Sequence, residues 1–252
     1  MTRAGRGRPR PILFAGWEVG TYGCPMVKRT SLSEEVLSFH GEFREQGPSS
    51  GAWELCYAHF GRNPEADTEK ASLHLAAFLA SWGMMRGSSF LRNHSFVVHE
   101  SIVRLIVGGK HGIARNLHAR DLASQQDEIL KLVGKLCKHY RAYHPKRRNP
   151  TTVLTSKILL ATLGCSIGYD RYVVAGLRHE GIAAQLSRRG LMQLNGWAQE
   201  RLGELDDLQK TFRAKGLDYP HMKLLDMYFW RIGRRSLNIQ QPAATERKRD
   251  LS

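Results

Sequence analysis

The chain has 252 residues, of which 42% are hydrophobic and 24% charged, with 38 Lys and Arg against 23 Asp and Glu and a formal charge of +15. That is enough apolar material for one sizeable core, and no apolar run reaches the roughly 18–20 residues a membrane span needs. The first eleven residues carry Arg3, Arg6, Arg8 and Arg10 without an acid, and 236–252 carry a surplus of one, so +10 (15 − 4 − 1) resides on the body. A folded surface with that surplus attracts phosphate polyanions.

Residues 1–11 read as a disordered basic arm, since Gly and Pro alternate with Arg and leave little to bury. The run Arg6-Gly7-Arg8-Pro9-Arg10 resembles an AT-hook, which implies that Arg6, Arg8 and Arg10 lie in a narrow A·T-rich minor groove. A biased chain start explains the same residues. Residues 12–31 read as irregular, and the start lacks an apolar signal-peptide core, so a cytoplasmic protein is expected.

A first helix is expected over 33–44, capped by Ser33, then a break at 47–51 and a short helix over 53–60. The stretch 67–85 sets Leu75, Phe78, Leu79 and Trp82 at i, i+3, i+4 and i+7, one helical face. A weaker pattern covers 96–107, and 108–123 reads as loop. Ile129, Leu132, Val133, Leu136 and Tyr140 form the strongest stripe, over 125–143, which Pro145 stops.

Pro150 restarts a helix whose residues 153–163 are apolar nearly all round, so it should be central. Further helices are expected over 170–179, over 187–215 as one long element, and from Pro220 to about Gly233. A polar tail follows from 236. No strand pattern intervenes. The expectation is an all-α fold: one compact domain of about eight helices over 12–235, between a basic arm and a polar tail.

Cys24, Cys56, Cys137 and Cys165 are scattered and form no C-x-x-C pair. Histidine pairs such as His94/His99 and His139/His144 are five apart, which does not align two ligands on a helix face. Neither a metal nor a cofactor is expected.

Three segments stand out: 79–91 (LASWGMMRGSSFL), 156–172 (SKILLATLGCSIGYDRY) and 219–230 (YPHMKLLDMYFW). Together they resemble a family of bacterial hypothetical proteins of uncharacterised activity, over roughly 65–233. A weaker resemblance is to helix-hairpin-helix DNA glycosylases, which are all-α and place an essential Asp at a helix start, some with a Lys that attacks the sugar. That resemblance implies Asp170 as acid/base and Lys157 as nucleophile. The chain departs from it where Gly164-Cys165-Ser166-Ile167-Gly168 replaces the glycine-rich hairpin. A helix-capping carboxylate and a solvated or ion-paired lysine are the plainer readings.

Among the basic residues, Lys146-Arg147-Arg148 joins two strong helices and should be exposed, as should Lys110 and Arg115 in the 108–123 loop. These are the expected phosphate contacts. Arg86, between Gly83 and Gly87 and followed by Ser88-Ser89, is a candidate anion contact. The segment Gly108-Gly109-Lys110-His111-Gly112 lacks the spacing of a phosphate loop and follows no strand.

Three functions follow in order: a nucleic-acid-associated protein, an interaction subunit using the 187–215 helix as a partner surface, and a glycosylase- or lyase-like enzyme on nucleic acid. The enzyme reading requires Lys157 and Asp170 to face one cleft beside a basic rim, and fails if they are closed into a buried ion pair. The interaction reading requires an exposed apolar stripe on the 187–215 helix.

Overall fold

A computed structural model describes residues 31–46, 51–62, 67–87 and 89–239. The arm with Arg6, Arg8 and Arg10 lies outside the described residues, as do Ser88 and 240–252. The described residues form ten α-helices and no strand. These are α1 (Leu32–Gln46), α2 (Ala52–Phe60), α3 (Thr68–Ser81), α4 (Glu100–Val107), α5 (Leu122–Tyr143), α6 (Thr152–Thr162), α7 (Arg171–His179), α8 (Arg188–Gln199), α9 (Leu202–Ala214) and α10 (His221–Ile239). Short 3-10 turns occupy Phe90–Asn93, Phe96–His99 and Ala119–Asp121. No described helix is long and apolar enough to cross a membrane.

Side-chain caps explain half of the ten helix starts. Asp67 accepts Lys70 N–H at 2.8 Å, Thr151 accepts Leu154 N–H and Ser187 accepts Gly190 N–H. The first helix is capped by Ser31, not Ser33: Ser31 Oγ accepts Glu34 N–H while Glu34 accepts Ser31 N–H, a reciprocal box.

Helix α6 runs through the core, buried from Leu154 to Thr162. Gly164, at φ 62°, ends it, and a side chain there would press on Pro220 and Tyr57. Helices α7 and α10 cross with glycine against backbone on both sides. A Cβ at Gly176 would meet Phe229 O, and one at Gly233 would meet Tyr172 O. Tyr228, Phe229 and Trp230 are buried.

Four further expectations are corrected. The count is ten helices rather than about eight. The stretch 67–85 stays helical only to Ser81, because 82–87 turns back with Gly83 and Gly87 at positive φ. The 187–215 stretch is two helices broken at Glu200 and Arg201, and Leu191, Leu194, Ala198, Leu205, Leu208 and Phe212 are all buried in the core. The seam is therefore internal packing and leaves no exposed stripe for a partner. Finally, α10 continues to Ile239, so 236–239 is helix rather than tail. Arg231, Arg234 and Arg235 pair with Glu35 and Glu42 of α1 along it.

Candidate functional site

The loop between α6 and α7 carries the first part of the site. Asp170 caps α7, its Oδ1 accepting Tyr172 N–H at 3.0 Å and Val173 N–H at 3.1 Å. Its Oδ2 takes Lys157 Nζ at 3.0 Å. The lysine side chain is 3% exposed and the aspartate 17%. The sequence thus names two residues that the fold brings together, in an ion pair that is closed and buried.

The second part comes from α10. Asp226 Oδ1 accepts Gly168 N–H at 2.8 Å, and its Oδ2 lies 3.7 Å from Lys223 Nζ. A side chain on Gly168 would crowd both Asp226 and Lys157, so the glycine lets the four charges gather. Ser156 Oγ holds the loop from the other side by accepting Tyr169 N–H. Burial pulls the Lys223 amine below the ordinary lysine range and pushes the Asp226 carboxyl above the carboxylate range. Buried charge pairs of this kind contribute little net stability compared with apolar packing, and perturbed groups gather at functional sites.

Beside these charges lies a cavity of about 320 Å³. Its apolar walls include Phe39, Phe43, Trp53, Trp82 and Met227, and its polar lining is His40, Glu54, Tyr219 and Lys223. Trp82 joins the two parts: Lys157 Nζ sits 4.1 Å from its ring centroid and Lys223 Nζ 6.0 Å. Tyr219 OH donates to Glu54, and His40 Nδ1 lies 3.3 Å from the same hydroxyl.

A third feature is basic. A shallow cleft is lined by Gly87, Ser89, Phe90, Arg92, Asn93, His144, Pro145, Lys146 and Arg148, without an acid. The turn before α4 meets the end of α5 here, with Phe90 and His144 rings 5.3 Å apart and His94 Nε2 3.2 Å from Tyr143 O. The two segments come from stretches without Asp or Glu, 70–99 and 129–169, and the second holds eight Lys and Arg.

The remaining expected contacts scatter. Arg147, at φ 48°, donates to Ala142 O, and its own carbonyl accepts Arg141 Nε, so it serves the loop. Arg115 stacks on Tyr57 at 3.7 Å and donates to Tyr57 O, half-buried rather than presented to solvent. Arg86 is exposed and folds back over Gly83. Lys110 is exposed in its loop, apart from the cleft lining.

One cluster has metal-ligand composition although its members are far apart in sequence: His118, Asp206 and His221. Its hydrogen bonds argue for a different role. His118 Nδ1 accepts Arg120 N–H, and His221 Nδ1 accepts Ala119 N–H, so both rings carry their proton on Nε2. His118 Nε2–H donates to Asp206 at 2.9 Å, whereas His221 Nε2 lies 3.2 Å from the same oxygen without forming a hydrogen bond. The two buried thiols are equally quiet: burial pushes Cys165 up to about 12 and raises Cys56 as well, while Cys24 lies outside the described residues.

No family model, curated protein or solved structure matches this chain.

Proposed function

We propose that this chain associates with nucleic acid, seating the phosphate backbone on the acid-free face around Arg92, Lys146 and Arg148. The observation that carries the reading is the meeting of the two stretches without carboxylates, 70–99 and 129–169, at one cleft. No salt bridge engages Arg92, Lys146 or Arg148 among the described residues, so their charge faces solvent uncompensated. Such a surface attracts polyanions and releases their counterions on contact. The test is fluorescence anisotropy with labelled duplex DNA, single-stranded DNA and RNA across a salt series, with and without residues 1–11. Binding by the shortened chain that weakens steeply with salt supports the reading. No binding at low salt overturns it.

The glycosylase- or lyase-like reading meets its own condition for failure, since Lys157 and Asp170 are closed into a buried ion pair at 3.0 Å and neither lines the cavity. Lys157 lies behind Trp82, so this reading requires the indole to swing aside before the amine meets a substrate. Only strand scission on abasic or modified duplexes that is lost in Asp170→Asn would restore it.

A further inference from the structure

Two amines approach the Trp82 ring, but only one belongs to the cavity wall. Lys157 is not among the lining residues, whereas Lys223 is. Lys223 Nζ lies 5.1 Å from the Trp53 ring centroid, 5.4 Å from Phe39 and 6.0 Å from Trp82, three faces that bound the same space. A flat ligand between these rings would bring its edge to this nitrogen.

We propose that Lys223 is a nucleophilic amine that captures the carbonyl carbon of a flat aromatic aldehyde or ketone held in this cavity, forming an imine. The volume of about 320 Å³ suits a ligand of one or two rings. Lysines become nucleophiles in this way when an apolar pocket or a neighbouring cation disfavours their charged form.

Both influences act here. Burial is the larger, and the Lys157 ammonium on α6 pushes the same way. Against them stand Asp226 on the same helix and Glu54 on α2, which favour the ammonium. Asp170, at the start of α7, acts on Asp226 and raises it further. His40 and Tyr219 complete the polar lining.

The step balances without a redox partner. The Nζ lone pair attacks the carbonyl carbon, and the C=O π pair moves to oxygen, which takes a proton. That proton is the one the attacking nitrogen sheds, while Asp226, 3.7 Å from Nζ and outside the cavity lining, holds the amine in place. The carbinolamine nitrogen then loses a proton and the hydroxyl leaves as water, which gives the C=N bond. Amine and carbonyl become imine and water.

The experiment is reductive trapping on the full chain, with benzaldehyde as the probe and cyanoborohydride as the reductant, from pH 6 to 9. Peptide mass mapping then reads the modified lysines. It uses no nucleic acid, so its outcome is separate from the phosphate-docking reading. The expected result is Lys223 labelling at pH 7 at least about tenfold faster than at the exposed Lys135 and Lys138, since burial among the aromatic rings favours the neutral amine. Glyoxylate, charged and without a ring, should label Lys223 far more slowly than benzaldehyde does.

Labelling of Lys135 and Lys138 with Lys223 untouched overturns the proposal. Labelling of Lys157 in its place does the same, as does equal labelling of Lys223 by glyoxylate. Lys223→Met should abolish the preferred adduct. Because that change strands Asp226, the paired Lys223→Met/Asp226→Asn variant serves as the folded control, and the mapping of the unaltered chain needs no variant.

Discussion

Asp226 on α10 accepts the backbone N–H of Gly168 at 2.8 Å, a partner 58 residues earlier in the chain. One carboxylate therefore neutralises a buried lysine and also shapes the loop that delivers Asp170. Replacing Asp226 by Leu removes both functions and leaves Lys223 buried without its partner. The expected cost is about 3–5 kcal/mol, read by urea unfolding. The double variant Lys223→Met/Asp226→Leu should recover a large part of that loss, because no unpaired charge is left behind.

Asp170 also performs two tasks, and two substitutions separate them. Asp170→Asn keeps an oxygen to cap α7 and removes the charge opposite Lys157. Asp170→Ala removes both. The alanine variant should be less stable than the asparagine variant by about 1 kcal/mol, the ordinary contribution of a helix cap. Equal stabilities would show that the cap at Tyr172 and Val173 contributes nothing.

Two helix glycines, Gly233 in the α7–α10 crossing and Gly196 in α8, predict opposite responses to one methyl group. Gly233→Ala drives its Cβ into Tyr172 O, with Gly176 N only 2.6 Å away, and should lower stability by at least about 1–3 kcal/mol. Gly196 lies inside α8, and a Cβ there meets nothing within 4 Å. Gly196→Ala should raise stability by up to about 1 kcal/mol through helix propensity. Thermal melts of the two variants should move in opposite directions.

Two buried imidazoles set the acid limb of stability. Burial holds His99 down to about 4, with His139 pushing the same way, and burial holds His221 to about 4, with His118 assisting. Their ordinary value is near 6.5, so the unfolded chain binds the extra protons first. Stability is thus fully present above about pH 6.5 and drains away as pH falls toward 4, by on the order of 3 kcal/mol for each ring. His99→Gln, which can still hydrogen-bond Tyr140 but does not titrate, should flatten that limb in urea titrations run from pH 4 to 7.

At the basic cleft, Lys146→Ala and Arg148→Ala should each weaken nucleic-acid binding and reduce the slope of log K against log salt by about one. Arg115→Ala should instead lower stability and leave the slope unchanged, since that guanidinium is committed to Tyr57. Anisotropy across a salt series, alongside a thermal melt, distinguishes the two effects.

Much of the helical framework was legible in the chain. The stripe from Ile129 to Tyr140 and the all-round apolar 153–163 segment follow from period and burial alone, and both helices stand where expected. The misses have local causes. Glu200 and Arg201 carry no sequence signal of a helix break, because Leu202, Leu205 and Leu208 continue the apolar rhythm in a second helix. Ser31 was hidden as a cap by Ser33 two residues on. At the site, Lys157 and Asp170 are separated by a single loop, so their proximity could be read from the sequence. Lys223 could not be singled out, because its meaning depends on Phe39, Trp53 and Trp82, which arrive from distant parts of the chain. The His118–Asp206–His221 cluster was invisible for the same reason.

The two glycine contacts between α7 and α10 have a mechanical consequence. Backbones seated so closely have no side chains between them to slide or repack, so the two helices move as one piece. Asp170 stands at the head of α7, and Lys223 and Asp226 stand on the first turns of α10, so these polar groups share one stiff frame. The aromatic walls come from α1, α2 and the turn after α3, outside that frame. Admission of a ligand would therefore be governed by the walls, while the alignment of amine and carboxyl stays constant throughout. Substitutions in the walls should change how fast a ligand enters and leaves, and substitutions in the frame should change what happens to it once inside.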